Sequence, residues 1–184
     1  MPETRSIPAP LRLLVEYLDG LKERASIESL RELLGASKVT ADDLQPYIRF
    51  KDEAYQRNLI AAGEHYEMLV VCWKSGQRSP IHDHANSTCC FRVMQGVCTE
   101  TVFDFSACGQ VVARESRHLP EGYMAASQDT DTHQVSNLQP PGAGLVTLHI
   151  YSPPLQAMRK YSITGEREGN FAPGVSICRA EEEG

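Results

Sequence analysis

Six short β-rich runs, at 66–74, 87–95, 97–105, 110–118, 121–127 and 144–151, dominate the chain after Tyr47, separated by clusters of Gly, Pro, Asn and Ser. So many short runs in succession, each bounded by turn residues, predict an antiparallel sandwich or barrel. From Pro10 to about Asp43 the apolar residues recur instead at helical spacing, with Leu11, Leu14, Leu18 and Leu21 on one face and Leu30, Leu33 and Leu34 in a second segment. Two short helices fit this pattern. Ser26 is a suitable N-cap for the second, and Thr40 followed by Asp43 has the form of a third, brief helix that Pro46 would end. Gln139-Pro140-Pro141-Gly142 separates two strands and Ser152-Pro153-Pro154 ends one, and neither reads as a domain linker. A chain of 184 residues can bury a core without a second domain. The expectation is one domain over 1–184: a helical cap at 1–48, a β-barrel at 49–178 and a disordered tail at 179–184.

Lys and Arg total 18 against 24 Asp and Glu, a formal charge of −6, with no long block of either sign apart from Glu181-Glu182-Glu183. That balance argues against nucleic acid as a partner. The longest apolar stretch, Met68-Leu69-Val70-Val71-Cys72-Trp73, is far shorter than a bilayer span, and the N-terminus has no apolar core ending in a cleavage site. The expectation is a cytoplasmic monomer without a membrane partner. Six cysteines, at 72, 89, 90, 98, 108 and 178, form no Cys-x-x-Cys pair in a chain too large to need staples, so reduced, partly buried thiols are expected.

The sharpest local signal is His82-Asp83-His84, flanked by Gly76 and Gly96. Two histidines at i and i+2 on a strand project from one face and can chelate one metal. His133, in Thr132-His133-Gln134-Val135 some fifty residues on, is the third candidate ligand, where a jelly roll would return a strand beside the pair. His65 and His118 read as ordinary core or surface residues. Three neutral imidazoles leave metal positions open and keep the ion's full charge, so a thiolate could bind there. Zinc accepts the same ligands, and spacing does not separate it from iron.

Gly76, five residues, His82-x-His84, four residues, Cys89, six residues, Gly96 resembles the first cupin motif, with cysteine where many cupins carry a glutamate ligand. Ser79-Pro80-Ile81-His82-Asp83-His84-Ala85-Asn86-Ser87-Thr88-Cys89 is similar to the iron-site segment of the cysteine dioxygenase family. His149-Ile150-Tyr151-Ser152-Pro153-Pro154 resembles that family's second signature, and Tyr55-Gln56-Arg57-Asn58-Leu59 a third. The three segments run in order from Tyr55 to Pro154, over half the chain. The resemblance implies a mainly β fold, a cupin jelly-roll β-barrel with short N-terminal helices. It implies Fe(II) on His82, His84 and His133, Arg57 as a carboxylate clamp with Tyr55 beside it, and a Cys89–Tyr151 thioether as a protein-derived cofactor. It also implies a role in cysteine catabolism. Departures are Thr88 where mammalian members usually carry histidine, Thr147 where they carry serine, and Cys90 beside the crosslinking position. The gap from Pro120-x-Gly122 to His133 is longer than in most cupins, as it is in this family.

Thr147, His149 and Tyr151 alternate with Val146, Leu148 and Ile150, so on a strand the polar three share one face. That face should line the cavity, with the Thr147 hydroxyl holding His149 and His149 holding the Tyr151 phenol. A guanidinium buried at Arg57 calls for a carboxylate. The expected reaction is therefore oxygenation of L-cysteine by O2 to cysteine sulfinic acid, with Arg57 and Tyr151 holding the substrate carboxylate. Rival readings are a dioxygenase of 3-mercaptopropionate or another small thiol, a non-catalytic metal cupin, and a zinc cupin acting as lyase or hydrolase. The resemblance weighs against these, because dioxygenases of 3-mercaptopropionate usually lack both the arginine and the cysteine, and the other cupins have no use for Arg57, Cys89 and Tyr151 together.

Overall fold

A computed structural model describes residues 6–128, 132–156, 158–163, 167–171 and 174–177, and the tail expected at 179–184 lies outside them, as does Cys178. Helix α1 runs over Arg12–Asp19 and α2 over Ile27–Ala36, with 3-10 turns at Ala9–Leu11 and Asp42–Tyr47. The strands are β1 Gln56–Gly63, β2 Tyr66–Trp73, β3 Ile81–His82, β4 Thr88–Gln95, β5 Cys98–Phe105, β6 Val111–Leu119, β7 Met124–Gln128, β8 Thr132–Ser136, β9 Leu145–Ser152, β10 Met158–Tyr161, β11 Arg167–Phe171 and β12 Ser176–Ile177. They form two six-stranded sheets, in the orders β12-β1-β2-β9-β4-β7 and β11-β10-β3-β8-β5-β6. Chain segments alternate between the two sheets, and every pairing is antiparallel except β1 with β12. This is the jelly-roll arrangement.

The central strands β2 and β9 are buried along their whole length. Their outer side chains, Met68, Val70, Cys72, Val146, Leu148 and Ile150, pack on Leu11, Leu14, Leu18, Leu30 and Leu34 of the helices. Their inner ones, among them Leu69, Val71, Trp73, Leu145 and Tyr151, face the barrel interior with Cys89 and Phe91 of β4. A strand covered on both faces has no reason to alternate polar and apolar residues, hence the unbroken Met68–Trp73 run. Ser26 caps α2 by accepting the Ser29 N–H at 3.1 Å. Pro46 lies inside the third helical turn instead of ending it, because its fixed φ suits a 3-10 turn, and the turn closes one residue later.

Candidate active site

His82 and His133 are direct partners in the β3–β8 ladder, which brings two distant segments to one point in the interior. His84 does not share a strand with His82 as the spacing predicted, for β3 ends at His82. The chain turns instead, with Ala85 and Asn86 at φ 41° and 76° and the Ser87 N–H returning to the His84 carbonyl at 2.8 Å. Buried Asp83 fixes this turn, accepting from Ala85 N at 3.2 Å, Tyr161 Oη at 2.8 Å and Arg159 Nε at 2.6 Å.

The three rings lie 4.8 to 5.4 Å apart between centroids, and one nitrogen from each falls within 4.8 Å of the others. Each Nδ1 is engaged away from that meeting point: His82 with the Pro80 carbonyl at 2.9 Å, His133 with Glu100 Oε1 at 2.9 Å, and His84 with Ser127 Oγ at 3.3 Å. A carbonyl can only accept, so His82 carries its proton on Nδ1 and presents the Nε2 lone pair inward. Burial pushes the His82 pKa down to about 3 and that of His84 well below its ordinary value, leaving neutral imidazoles. His84 Nε2 is fully buried and has no hydrogen-bond partner among the described residues. A buried orphan nitrogen is costly unless something binds it. Three convergent imidazoles are a donor set that fits a divalent transition metal.

A small cavity of about 20 Å³ opens beside His82 and His133, walled by Arg57, Tyr55, His149 and Tyr151 and by the apolar Val71, Val135 and Met158. Tyr55 stacks on Trp73 with 4.3 Å between ring centres. Arg57 Nη2 donates to Glu67 Oε1 at 2.9 Å, and its guanidinium carbon sits 5.3 Å from the centre of the Tyr151 ring. The carboxylate that a buried Arg57 demands is thus supplied in part by the chain itself. Along β9, Thr147 Oγ1 meets His149 Nε2 at 2.9 Å, and His149 Nδ1 meets the Tyr151 hydroxyl at 3.1 Å. Trp73 Nε1 donates to Thr147 Oγ1 at 3.1 Å and anchors this chain of bonds. Burial, and next the nearby Arg57 charge, keep His149 neutral; burial also raises the Tyr151 phenol pKa well above its ordinary value, so the phenol keeps its proton. Cys89 lies opposite Tyr151 on β4, and its thiol pKa is likewise raised by burial, against a hydrogen bond from the Tyr151 hydroxyl.

Sequence reasoning did not single out Glu67 or Glu100. Burial opposes the Glu100 charge, but the hydrogen bonds from His133 and Arg117 outweigh it and hold the pKa below the ordinary carboxylate value. The signal available was cross-strand distance: ladder pairing sets Arg117 directly opposite Glu100 on β6, and Val135, two residues from His133, opposite it on β8.

Residues 3–164 match the family Cysteine dioxygenase type I. The chain belongs to the cysteine dioxygenase family. It is 29 % identical over 161 residues to cysteine dioxygenase type 1 of Rattus norvegicus, covering 85 % of this chain and 79 % of that protein. Against the Homo sapiens protein of the same name the identity is 28 %, over 85 % and 79 % of the two chains. Against that of Danio rerio it is 30 %, over 84 % and 80 %. Among solved structures, TT1209 from Thermus thermophilus aligns with a TM-score of 0.48 at 19 % identity, over 60 % of this chain and 94 % of its own. The stretch matched to the cysteine dioxygenase family contains all three histidines, Arg57, Cys89 and the Thr147–His149–Tyr151 chain.

Proposed function

We propose that this member of the cysteine dioxygenase family is an Fe(II)-dependent enzyme that converts L-cysteine and O2 to cysteine sulfinic acid. The observation that carries the reading is a three-histidine cluster of which two members, His82 and His133, line the same small cavity as a buried arginine. Family membership and the chemistry of those side chains support it together. Iron held by His82, His84 and His133 would supply the redox chemistry that lets dioxygen react with a thiolate. Both oxygen atoms pass to sulfur, and dioxygen takes up all the electrons that sulfur gives up, so no reductant is consumed.

The chain's own groups bind and orient. Arg57 holds the substrate carboxylate, aided by the Tyr151 hydroxyl, whose proton makes it a donor. Neutral His149 fixes that hydroxyl from the other side. Tyr55, locked on Trp73, closes the wall beside Arg57, while Val71, Val135 and Met158 exclude water from the reacting sulfur. Cys89, paired opposite Tyr151, would join it as a thioether.

Among the described residues Cys72, Cys89, Cys90, Cys98 and Cys108 form no disulfide, in keeping with a reducing, cytoplasmic setting. Among the described residues no helix is long and apolar enough to cross a membrane. The deciding experiment is oxygen uptake by anaerobically Fe(II)-loaded protein given cysteine, 3-mercaptopropionate or cysteamine, with products identified by mass. Cysteine giving its sulfinic acid with matching oxygen uptake supports the proposal. Preference for 3-mercaptopropionate would remove cysteine as the substrate, and no uptake with any thiol would remove the activity.

A further inference from the structure

Arg57 is 5 % exposed, and its guanidinium is held from one side. Nη2 donates to Glu67 Oε1 at 2.9 Å, and the same oxygen accepts the Leu155 backbone N–H at 3.0 Å. Arg57 Nε is buried with no acceptor among the described residues, and Glu67 is itself only 7 % exposed. Glu67 stands opposite Tyr151 in the β2–β9 ladder but is not part of the cavity wall that Arg57 and Tyr151 form.

This arrangement sets the charge that the clamp shows to a ligand. Arginine alone in the interior would be an uncompensated cation, and a ligand without a carboxylate would leave it so. Such a site would select strongly for an anion. With Glu67 bonded to it the pair has no net charge, so a ligand lacking a carboxylate meets no bare cation. A ligand that brings a carboxylate must share one guanidinium with Glu67, and the two anions repel across a poorly screened interior.

We infer that Glu67 is a specificity-determining residue: by neutralising Arg57 from outside the cavity, it limits how strongly the site favours thiols with a carboxylate over thiols without one. It acts through Arg57 and touches no substrate. The choice of ligands rests on the thiol dioxygenase reading above.

The test is a titration of metal-loaded, full-length protein without oxygen, using 3-mercaptopropionate and cysteamine and following the emission of Trp73. That residue is the chain's single tryptophan, and it lines the cavity. Glu67→Gln keeps a side-chain oxygen for Arg57 and Leu155 and removes the charge. The variant should bind 3-mercaptopropionate roughly tenfold more tightly, the lower end of what one neighbouring charge does in a protein interior, with cysteamine changed by less than about twofold or weakened. Glu67→Asp, which keeps the charge, should return the ratio of the two affinities toward wild type. Equal movement of both ligands in Glu67→Gln, or weaker binding of 3-mercaptopropionate, overturns the inference. Because binding is read without turnover, the two readings fail separately. Wild-type protein that binds both thiols and oxidises neither contradicts the activity, while the affinity ratio still decides the role of Glu67. Protein that binds neither thiol contradicts both.

Discussion

Cys89 and Tyr151 stand directly opposite one another in the β4–β9 ladder, with both side chains turned into the barrel. The row continues to Glu67 on β2 and Ser127 on β7, so the two residues sit on adjacent central strands held on both sides. The pairing keeps the Cys89 sulfur beside the Tyr151 phenol, whose hydroxyl bonds to it. Forming a thioether between them removes one hydrogen from the thiol and one from the ring, and a separate dioxygen molecule, not one used on substrate, takes both and leaves as hydrogen peroxide. After aerobic turnover with Fe(II) and cysteine, the intact mass should therefore fall by two hydrogens. Cys89→Ser should show no such loss while keeping its iron. An unchanged wild-type mass after many turnovers would refute the crosslink.

Glu100 ties His133, a proposed metal ligand, to the far side of the sheet. Its Oε1 meets His133 Nδ1 at 2.9 Å and its Oε2 accepts from Arg117 Nη2 at 2.9 Å. A carboxylate on the outer nitrogen of a ligating imidazole fixes the ring and makes its inner nitrogen a better donor. Glu100→Ala should weaken metal binding about 10- to 100-fold, as losses of such partners typically do. Competition against a coloured chelator, with Co(II) or Fe(II), measures it. Unchanged affinity in a folded variant would mean that the β3–β8 pairing alone holds His133 in place.

Much of this was legible in the chain and some was not, for identifiable reasons. Strands β2, β4 and β9 follow the expected runs closely because Met68–Trp73, Thr88–Val93 and Leu145–Ile150 are apolar enough to be read without partners. Strand β1 carries Gln-Arg-Asn-Leu-Ile-Ala-Ala-Gly, which has no strand signature of its own and is extended because β2 pairs with it. The three histidines could be singled out from spacing and resemblance, but the turn that aims His84 depends on Asp83 and on Arg159 and Tyr161, far away in the chain. Glu67 escaped notice because a lone acid in Tyr66-Glu67-Met68-Leu69 looks like a solvated position. Only the fold reveals that Arg57, ten residues earlier, reaches across to it.

That pairing gives Arg57 two roles that one substitution separates. Arg57→Ala should raise the dissociation constant for carboxylate-bearing thiols while iron content stays the same. It should also leave the Glu67 carboxylate buried without its partner, at a cost to folding of roughly 3 to 5 kcal/mol. Burial already pushes the Glu67 pKa up against the pull of Arg57, so removing the guanidinium raises it further. Adding Glu67→Gln to Arg57→Ala should recover much of the lost stability and none of the lost affinity. A double variant no more stable than Arg57→Ala in urea would show that the loss comes from packing and not from the stranded charge.

Thr88 occupies a position next to Cys89 yet belongs to the opposite face of β4, since neighbouring residues on a strand point in opposite directions. Its hydroxyl is fully buried and donates to the Ala25 carbonyl at 2.9 Å. The Ala25 N–H donates in turn to Ser152 Oγ at 2.9 Å, and that hydroxyl donates to the His65 carbonyl at 2.7 Å. Both backbone groups of Ala25, just ahead of α2, are thus bonded to the outer face of the β4–β9 pair. Thr88→Val keeps the shape and strands the Ala25 carbonyl, which should cost about 1 to 3 kcal/mol. The urea midpoint should fall at unchanged slope. Metal content and the Cys89–Tyr151 mass loss should not change, because nothing on the inner face has been touched. If Thr88→Val instead loses metal or crosslinking, the cap and the cavity are coupled through β4, and the separation of its two faces argued here is wrong.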